Sequence, residues 1–323
     1  MRRSVMIWII IASALIVAGL VVFAAAFAIG GFDFRGLTLQ KYETNTYEID
    51  EKFENISVKT VVSDITFFPS NGDECKVIIN ENIKLNYSAR VENGTLIIDY
   101  DDKREWFDYI NFFSFESGSV KLYIPAGAYK SLVMETSTGD VKIPRDFIFD
   151  SIKIDGDTGD VECRASSAGL TEIKLSTGDI EIKNASFGDL RLTVSTGEVD
   201  AEEIMCAGEF YLKVSTGEAE LEGINCTSFV SEGSTGDLDL SGVVATGKFD
   251  IRRSTGDVRL TKCDASELYI RTNTGNVTGS LLSEKIFITE TSTGNIRVPS
   301  SVNGGRCEIK TSTGNIKIQI IGK

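Results

Sequence analysis

A Thr-Gly dipeptide that is followed by Asp, Glu or Asn recurs ten times between residues 137 and 316. The spacing between successive turn glycines is always 19 or 20 residues. These ten turn glycines are Gly139, Gly159, Gly178, Gly197, Gly217, Gly236, Gly256, Gly275, Gly294 and Gly314. A fixed period of this length indicates a repeat protein, in which each unit is one supersecondary element stacked on its neighbours.

Apolar and polar residues alternate on both sides of each Thr-Gly. Before the turn the alternation runs through stretches such as Leu190–Val194. Two positions after the glycine the residue is always apolar: Val141, Val161, Ile180, Val199, Ala219, Leu238, Val258, Val277, Ile296 and Ile316. A period of two predicts strands with one buried face, so each unit holds at least two short strands.

Each Thr-Gly is predicted to form a sharp corner between two strands. The glycine takes the third position of a four-residue turn, where a type II turn requires a positive φ. One such unit cannot bury its apolar face alone, but stacked units pair each strand with its equivalent one turn further along. The chain is therefore predicted to be all-β, a single-stranded β-solenoid (β-helix) of roughly 19–20-residue coils. Ten coils at ~4.8 Å would make a rod about 48 Å long.

The N-terminus carries the one segment that is apolar enough to cross a membrane as a helix. An uncharged, mostly apolar run covers residues 4–32. About 20 residues span a bilayer, so residues 5–30 are predicted to be a transmembrane anchor, with 31–45 as a linker. Basic residues precede the run, which predicts a short cytoplasmic tail, 1–4, and an extracytoplasmic body. A cleaved signal peptide ending near residues 26–28 is the alternative, but its apolar core would be much shorter.

The rest of the chain divides into an irregular and a regular part. Residues 131–323 are predicted to be the regular solenoid, and 46–130 irregular coils that cap it. Asp64 stands 76 residues, four periods of 19, before the residue that follows the first turn glycine. It is therefore predicted to lie at a degenerate corner of the same kind, and Asn93-Gly94 is predicted to be another.

The composition argues against several classes of function. Histidine is absent, which removes the commonest general base and transition-metal ligand. The formal net charge of −14 opposes binding to nucleic acid. No long loop interrupts the ten coils to carry an active site. We therefore expect no enzyme activity, no catalytic residue, no cofactor and no small-molecule substrate.

The cysteine pattern leaves two alternatives open. There are six cysteines and no CxxC pair, so a zinc site is not indicated. Cys206 and Cys226 occupy the same place in neighbouring repeats, where their side chains could stack. They are expected to be buried thiols that fill the core, or else to form disulfides outside the cytoplasm.

The residues that follow the turn glycines form a ladder of carboxylates and amides: Asp140, Asp160, Asp179, Glu198, Glu218, Asp237, Asp257, Asn276, Asn295 and Asn315. A row of calcium sites is one hypothesis. However, one carboxylate per coil leaves the usual 6–8 oxygen ligands largely unfilled. We therefore favour side chains that stabilise the turns by accepting hydrogen bonds from nearby backbone amides, and we expect no metal site.

An aromatic insertion at residues 101–117 breaks the repeat. It contains Trp106, Phe107, Tyr109, Phe112, Phe113 and Phe115. Aromatic residues are enriched at binding surfaces, which makes these six the candidate partner-binding residues. The alternative is a plug that shields one open end of the solenoid core from water.

Two stretches resemble a known bacterial family. Residues 120–127, VKLYIPAG, and 132–141, LVMETSTGDV, are similar to a signature of the "putative adhesin" domain-of-unknown-function family, whose members carry TG-rich turn repeats. The resemblance covers roughly residues 46–323. It implies a β-solenoid that is exposed at the cell surface or anchored by one N-terminal helix, and it implies no settled biochemistry.

These observations together predict a non-enzymatic cell-envelope protein of the single-pass membrane type, with its N-terminus inside and its body outside. We expect an adhesin-like binding or scaffolding rod, whose partner is another envelope protein or a cell-wall polymer. The alternative is an accessory or sensor component of an envelope-stress signalling system, acting through a membrane partner.

Overall fold

The computed structural model describes residues 12–23, 25, 42–70, 72, 74–104 and 118–321. Residues 12–23 are helical and fall within the predicted anchor. No helix within these ranges is both long and apolar enough to cross a membrane. The remainder of the predicted anchor and all six aromatic candidates, Trp106 to Phe115, lie outside the described residues.

Two parallel sheets meet at the Thr-Gly corners. The strands before the corners form the pre-turn sheet: β7 (Gly127–Thr138), β9 (Phe147–Thr158), β11 (Ser166–Ser167), β12 (Leu170–Thr177), β14 (Asp189–Thr196), β16 (Glu209–Thr216), β19 (Ser228–Thr235), β22 (Lys248–Thr255), β24 (Glu267–Thr274), β26 (Lys285–Thr293) and β28 (Gly305–Thr313). The strands after them form the post-turn sheet: β8 (Val141–Ile143), β10 (Val161–Cys163), β13 (Ile180–Phe187), β15 (Val199–Cys206), β17 (Ala219–Glu222), β18 (Asn225–Cys226), β20 (Leu238–Ser241), β21 (Val244–Ala245), β23 (Val258–Cys263), β25 (Val277–Leu281), β27 (Ile296–Arg297) and β29 (Ile316–Ile320). The predicted parallel β-solenoid of about ten coils is therefore confirmed.

Equivalent residues of successive coils stand side by side and fill one continuous core. Val199 pairs with Ala219, which in turn pairs with Leu238. The predicted inward positions after the turn are buried in nine of the ten coils, and Ile296 is the exception at 44% exposed. Phe210, Phe229 and Phe249 stack edge to face through three levels, with centroid separations of 5.6 and 5.3 Å.

The coils do not stack entirely in chain order. The Gly275 coil pairs with the Gly314 coil through β24–β28 and β25–β29. The Gly294 coil lies beyond it and pairs through β26–β28 and β27–β29. The last coil of the chain is therefore inserted one level inside the end of the stack, contrary to the expectation that each strand pairs one turn further along. Ile296 is exposed because its coil is the terminal level.

The N-terminal end is closed by six strands: β1 (Tyr42–Ile49), β2 (Asn55–Ser70), β3 (Cys75–Asn82), β4 (Tyr87–Glu92), β5 (Thr95–Tyr100) and β6 (Gly118–Pro125). Strand β2 runs through both sheets and pairs with β7 and β8, and the Asp64 side chain accepts a hydrogen bond from the Asp140 amide at 3.0 Å. The predicted degenerate corner at Asp64 is thus confirmed. Strands β3 and β6, and β1 and β3, are antiparallel.

The prediction of a coil corner at Asn93-Gly94 is wrong. These two residues join the antiparallel strands β4 and β5, and both have positive φ, +50° and +73°. Positive φ at both central residues is what a two-residue type I′ hairpin requires. The dipeptide therefore reverses the chain within one sheet and does not turn it from one sheet to the other.

The turn glycines have the predicted positive φ but not the predicted turn type. Their φ values lie between +126° and +154°, far from the ~+80° of a type II turn. A Cβ on Gly178 would also overlap the carbonyl oxygen of Gly159 in the coil below. Glycine is therefore needed twice over, for its backbone conformation and for close stacking.

Candidate functional site

The residues that follow the turn glycines bind the neighbouring coil. The Asp160 amide donates to Asp140 Oδ1 at 3.0 Å, and the Asp179 amide donates to Asp160 Oδ1 at 2.9 Å. The same bond recurs at Asp237–Asp257, Asp257–Asn276, Asn276–Asn315 and Asn315–Asn295. We call this row of side-chain-to-amide bonds the turn ladder.

The geometry of the turn ladder supports the turn-stabilising hypothesis. Each Oδ1 in these bonds is directed at a backbone N–H of the next coil. The pKa of Asp237 is lowered, because hydrogen bonds from the Asp257 amide and Arg259 outweigh the burial that would raise it. Within the described ranges no group of three or more Cys, Asp or Glu residues could hold a metal ion.

All six cysteines are buried and unpaired. Burial raises the pKa of Cys163 to about 12 and that of Cys226 to about 12. The thiols are therefore protonated at neutral pH and unsuited to nucleophilic or metal chemistry. Cys206 and Cys226 are therefore buried thiols in the core and do not form a disulfide in this structure.

The N-terminal end of the post-turn sheet carries an open groove of about 800 Å³. Its lining combines carboxylates, an ammonium group and apolar or aromatic surface: Glu48, Ile49, Asp50, Pro69, Ser70, Glu74, Cys75, Lys76 and Tyr123. We call it the N-terminal groove. Cys75 is buried, and its pKa is raised to about 11, so it contributes apolar surface only.

Three lining residues of this groove, Glu48, Lys76 and Tyr123, belong to one row of side chains that crosses four strands and ends at Phe68. Strand register places Glu48 beside Lys76, Lys76 beside Tyr123, and Tyr123 beside Phe68. The rings of Phe68 and Tyr123 stack at 4.8 Å with an angle of 15° between their planes. Lys76 Nζ lies 5.3 Å from the centre of the Tyr123 ring.

This arrangement offers chemical groups that are suited to binding a saccharide. Aromatic rings offer apolar faces and edges to the C–H groups of a sugar, while carboxylates and Lys76 offer hydrogen-bond acceptors and donors to its hydroxyls. The groove is partly open to solvent, so it could admit a segment of a polymer.

The sequence did not single out Phe68, Lys76 or Tyr123 as site residues. The sequence nevertheless contained a signal for two outward-facing aromatic rings. In Phe67-Phe68 and Leu122-Tyr123, the alternation of apolar and polar positions predicts that the first residue faces the core and the second faces outward. Phe67 and Leu122 are buried, and Phe68 and Tyr123 are half-buried on the outer face. The sequence alone could not show that two outward rings lie on neighbouring strands, because β2 and β6 are about 55 residues apart and joined by a crossover.

Comparison with known proteins identifies the family and adds little beyond it. A structure of a putative adhesin from Parabacteroides distasonis is 13% identical, with a TM-score of 0.48, over 86% of this chain and 97% of that one. A putative lipid binding protein from the same species is 15% identical, with a TM-score of 0.46 over the same shares. No curated protein matches the chain. The model of the Toastrack DUF4097 family matches residues 53–209 and 203–323, so this chain belongs to that family.

Proposed function

We propose that this protein is a non-enzymatic binding rod of the cell envelope, which holds a carbohydrate-containing wall or surface polymer in the N-terminal groove. In this proposal residues 5–30 anchor the chain in the membrane and the solenoid stands outside it. The observation that carries the proposal is the row of Glu48, Lys76, Tyr123 and Phe68 across four adjacent strands. Stacked aromatic side chains beside charged groups are typical of surfaces that bind sugars.

The stacked coils support a scaffolding role for the rest of the molecule. Every described turn glycine from Gly139 to Gly314 sits directly on its neighbour, and the core is continuous through all levels. Such a stack holds its outer faces in a constant register, so a groove at one end keeps its shape when the polymer is under load.

The test is co-sedimentation of the full chain, in detergent micelles, with insoluble peptidoglycan sacculi. The double variant Phe68→Ala, Tyr123→Ala should lose most of the bound fraction, at least fivefold, because it removes both rings. The matched control is Tyr211→Ala, which removes a half-buried outward tyrosine from a regular coil far from the groove. Equal sedimentation of wild type and double variant would refute the role of the groove.

A third arm tests the aromatic insertion. Trp106→Ala, Phe112→Ala and Phe113→Ala are combined in one variant, and circular dichroism first checks that it remains β-rich. Loss of sedimentation in this variant, with wild-type binding in the groove variant, would move the binding site from the groove to residues 101–117.

A further inference from the structure

The C-terminal end of the stack is an open edge. In the part of the chain that the structure describes, β26 is hydrogen-bonded only to β28, and β27 only to β29. Ile296 is 44% exposed, whereas Ile316, its equivalent one level further in, is fully buried. Phe287 and Val298 are only partly buried against the same core. Among the described residues, therefore, none covers the cross-section of the core at this end.

Four edge strands of the described part of the chain, β1, β4, β26 and β27, differ in how they are protected from pairing. Charged side chains, short length and proline are the usual means of blunting an edge. Strand β1 carries Glu43 and Glu48, and β4 carries Arg90 and Glu92. Strand β27 has two residues and is followed closely by Pro299.

Strand β26 lacks these protections. It is nine residues long, and its first half contains the apolar run Ile286-Phe287-Ile288. Ile286 and Ile288 are 43% and 44% exposed on the outer face. Lys285 is buried and paired with Asp264 at 2.7 Å, so Glu290 is the one exposed charge of the strand. A long apolar edge of this kind is a template for pairing with another strand.

The charge at this end is suited to contact with a second copy. The turn ladder ends in three uncharged residues, Asn276, Asn315 and Asn295, in a chain whose net charge is −14. One strand further in, Arg306 and Lys310 are half-exposed cations on the outer face. Two such ends can approach each other without opposing carboxylate ladders. Glu290, the exposed charge of the edge strand, is already compensated within its own copy, because Lys310 Nζ lies 3.5 Å from its carboxylate.

We propose that β26 pairs with β26 of a second copy, antiparallel about a two-fold axis, so that two solenoids join end to end. With Ile288 opposite Ile288 of the second copy, the outward residues Ile286 and Glu290 face each other. The inward residues Phe287 and Thr289 likewise meet and cover the open core. Antiparallel pairing satisfies the free N–H and C=O groups of both edges.

The size of the end is sufficient for a specific but reversible contact. Nine residues at ~3.3 Å give an edge about 30 Å long, and two sheets ~10 Å apart with their outer side chains give a width of about 20 Å. Each copy would bury roughly 600 Å², or about 1,200 Å² in total, which is the lower limit of specific interfaces.

The two-fold axis has a consequence for function, which rests on the proposed anchoring outside the membrane. The N-terminal ends of the two solenoids point in opposite directions, so two copies anchored upright in one membrane cannot form this contact. Two copies on facing surfaces can. The second copy is therefore the partner of an adhesive contact between like surfaces.

A disulfide trap tests the pairing in the full chain. Ile288→Cys is purified in detergent micelles and mildly oxidised. The six native thiols are buried, so among the described residues the introduced cysteine is the one thiol that is exposed to the oxidant. Directly opposed Cα atoms lie ~4.5–5.5 Å apart, within the range of a disulfide. We expect a covalent dimer for Ile288→Cys and none for Val133→Cys, an equally outward and 39% exposed apolar position on β7. No dimer for Ile288→Cys, or equal yields for the two variants, would overturn the proposal.

A second variant separates pairing from bridging. Ile288→Lys should abolish the dimer of the wild-type chain in sedimentation velocity without changing its melting temperature, because the side chain is on the surface. Phosphatidylcholine vesicles carrying wild-type chain should aggregate, and those carrying Ile288→Lys should not. A trapped dimer without vesicle aggregation would support the pairing of β26 strands. It would refute the contact between facing membranes, and with it the proposed anchoring of the solenoid outside the membrane. Loss of sacculus binding in the groove variant is measured separately and leaves the trap unaffected.

Discussion

Most of the side chains that follow a turn glycine reach across to the neighbouring coil. Including Asp64 at the degenerate corner, Asp and Asn side chains place Oδ1 2.7–3.0 Å from the equivalent backbone amide of that coil in eight contacts. Glu198 and Glu218 make no such bond in the described part of the chain, although the Glu198 amide donates to Asp179. Glutamate carries the same carboxylate on a side chain longer by one methylene, so membership of the turn ladder follows side-chain length as well as chemical type.

Substitutions at Asp160 can separate the contribution of its hydrogen bond to the Asp179 amide from that of its negative charge. Asp160→Ala removes the acceptor of the Asp179 amide, and we expect a loss of about 1 kcal/mol in the free energy of unfolding. Asp160→Asn keeps Oδ1, as Asn276 does at its own level, so its stability should stay within about 0.5 kcal/mol of wild type. Urea unfolding followed by circular dichroism measures both. If asparagine costs as much as alanine, the negative charge and not the acceptor is what stabilises the turn.

Arg253 is the one described residue whose buried side-chain nitrogens, Nε and Nη1, have no hydrogen-bond partner. Nη2 donates to Ser231 Oγ at 3.3 Å, and the side chain occupies the space above Gly233. Burial lowers the pKa of Arg253 to about 10. A charged group in this position costs stability, because it loses hydration and gains little in return.

We therefore expect Arg253→Met to raise the free energy of unfolding by about 1–2 kcal/mol, since methionine fills similar space without a charge. Arg253→Ala is the matched control and should destabilise the protein by leaving a cavity over Gly233. Both are compared by chemical unfolding. A less stable methionine variant would mean that Arg253 is compensated by interactions beyond Ser231.

At the scale of strands, β24 and β28 hold a charge cluster on the outer face of the pre-turn sheet. The recessed carboxylate of Glu308 contacts Arg306 at 2.6 Å, Lys310 at 3.2 Å and Arg271 at 3.3 Å. Hydrogen bonds from Arg306 and then Lys310 lower the pKa of Glu308 from 4.5 to about 2. Because Arg271 is on β24, the cluster ties the inserted coil to the level below it.

This cluster should make stability depend on pH in a defined window. A carboxylate whose pKa falls on folding stabilises the native state fully above its unfolded pKa, and the effect is lost as pH falls from about 4.5 towards 2. We expect Glu308→Gln to melt below wild type at pH 7, with the difference closing across that window. Glu290→Gln, an exposed carboxylate on the neighbouring strand, is the control and should show a much smaller effect. A difference in melting temperature that persists at pH 2 would mean that glutamine disturbs packing and not charge.

At the scale of the molecule, the chain passes over one level of the stack and then returns to fill it. Strand β26 is built outside the level that β28 later occupies, and β28 is its one hydrogen-bonded neighbour among the described strands. The Gly294 coil therefore cannot pair until the end of the chain has arrived. The insertion also makes the exposed end of the stack an internal part of the sequence.

Truncation distinguishes this order from a stack built in chain order. A chain ending at residue 304 keeps the Gly294 coil but lacks β28 and β29. We expect residues 285–304 to lose their protection from hydrogen exchange and to be removed by protease, because their pairing partner is gone. A chain ending at residue 282 is the control and should have the same thermal stability. If residues 285–304 stay protected, the coil can pair directly with β24 and β25 when the inserted level is missing.

Much of the architecture follows from local rules that are legible in the sequence. The 19- or 20-residue period, the two-residue alternation and the glycine at each corner predict parallel coils, inward residues such as Val199 and Leu192, and the degenerate corner at Asp64. These features are readable because each depends on neighbours within one repeat. The Asn93-Gly94 hairpin was readable by the same rules, since the dipeptide between alternating segments is a strong hairpin signal.

The tertiary structure alone decided which repeat lies beside which, and what is exposed as a result. All repeats present nearly the same edge to their neighbours, so the sequence contains no local signal that the Gly314 coil precedes the Gly294 coil in the stack. That order depends on contacts between residues about 40 positions apart, such as the Asn276–Asn315 bond. It leaves β26 on the outside with Ile288 and Ile296 exposed. In the same way, the pairing of β2 with β6 places Phe68 beside Tyr123 at the groove. The sequence by itself determined the coil and its buried face, because both depend on local backbone geometry and on the alternation of apolar and polar residues. The proposed binding surfaces depend instead on which coils lie side by side. Only packing between residues far apart in the sequence decides that.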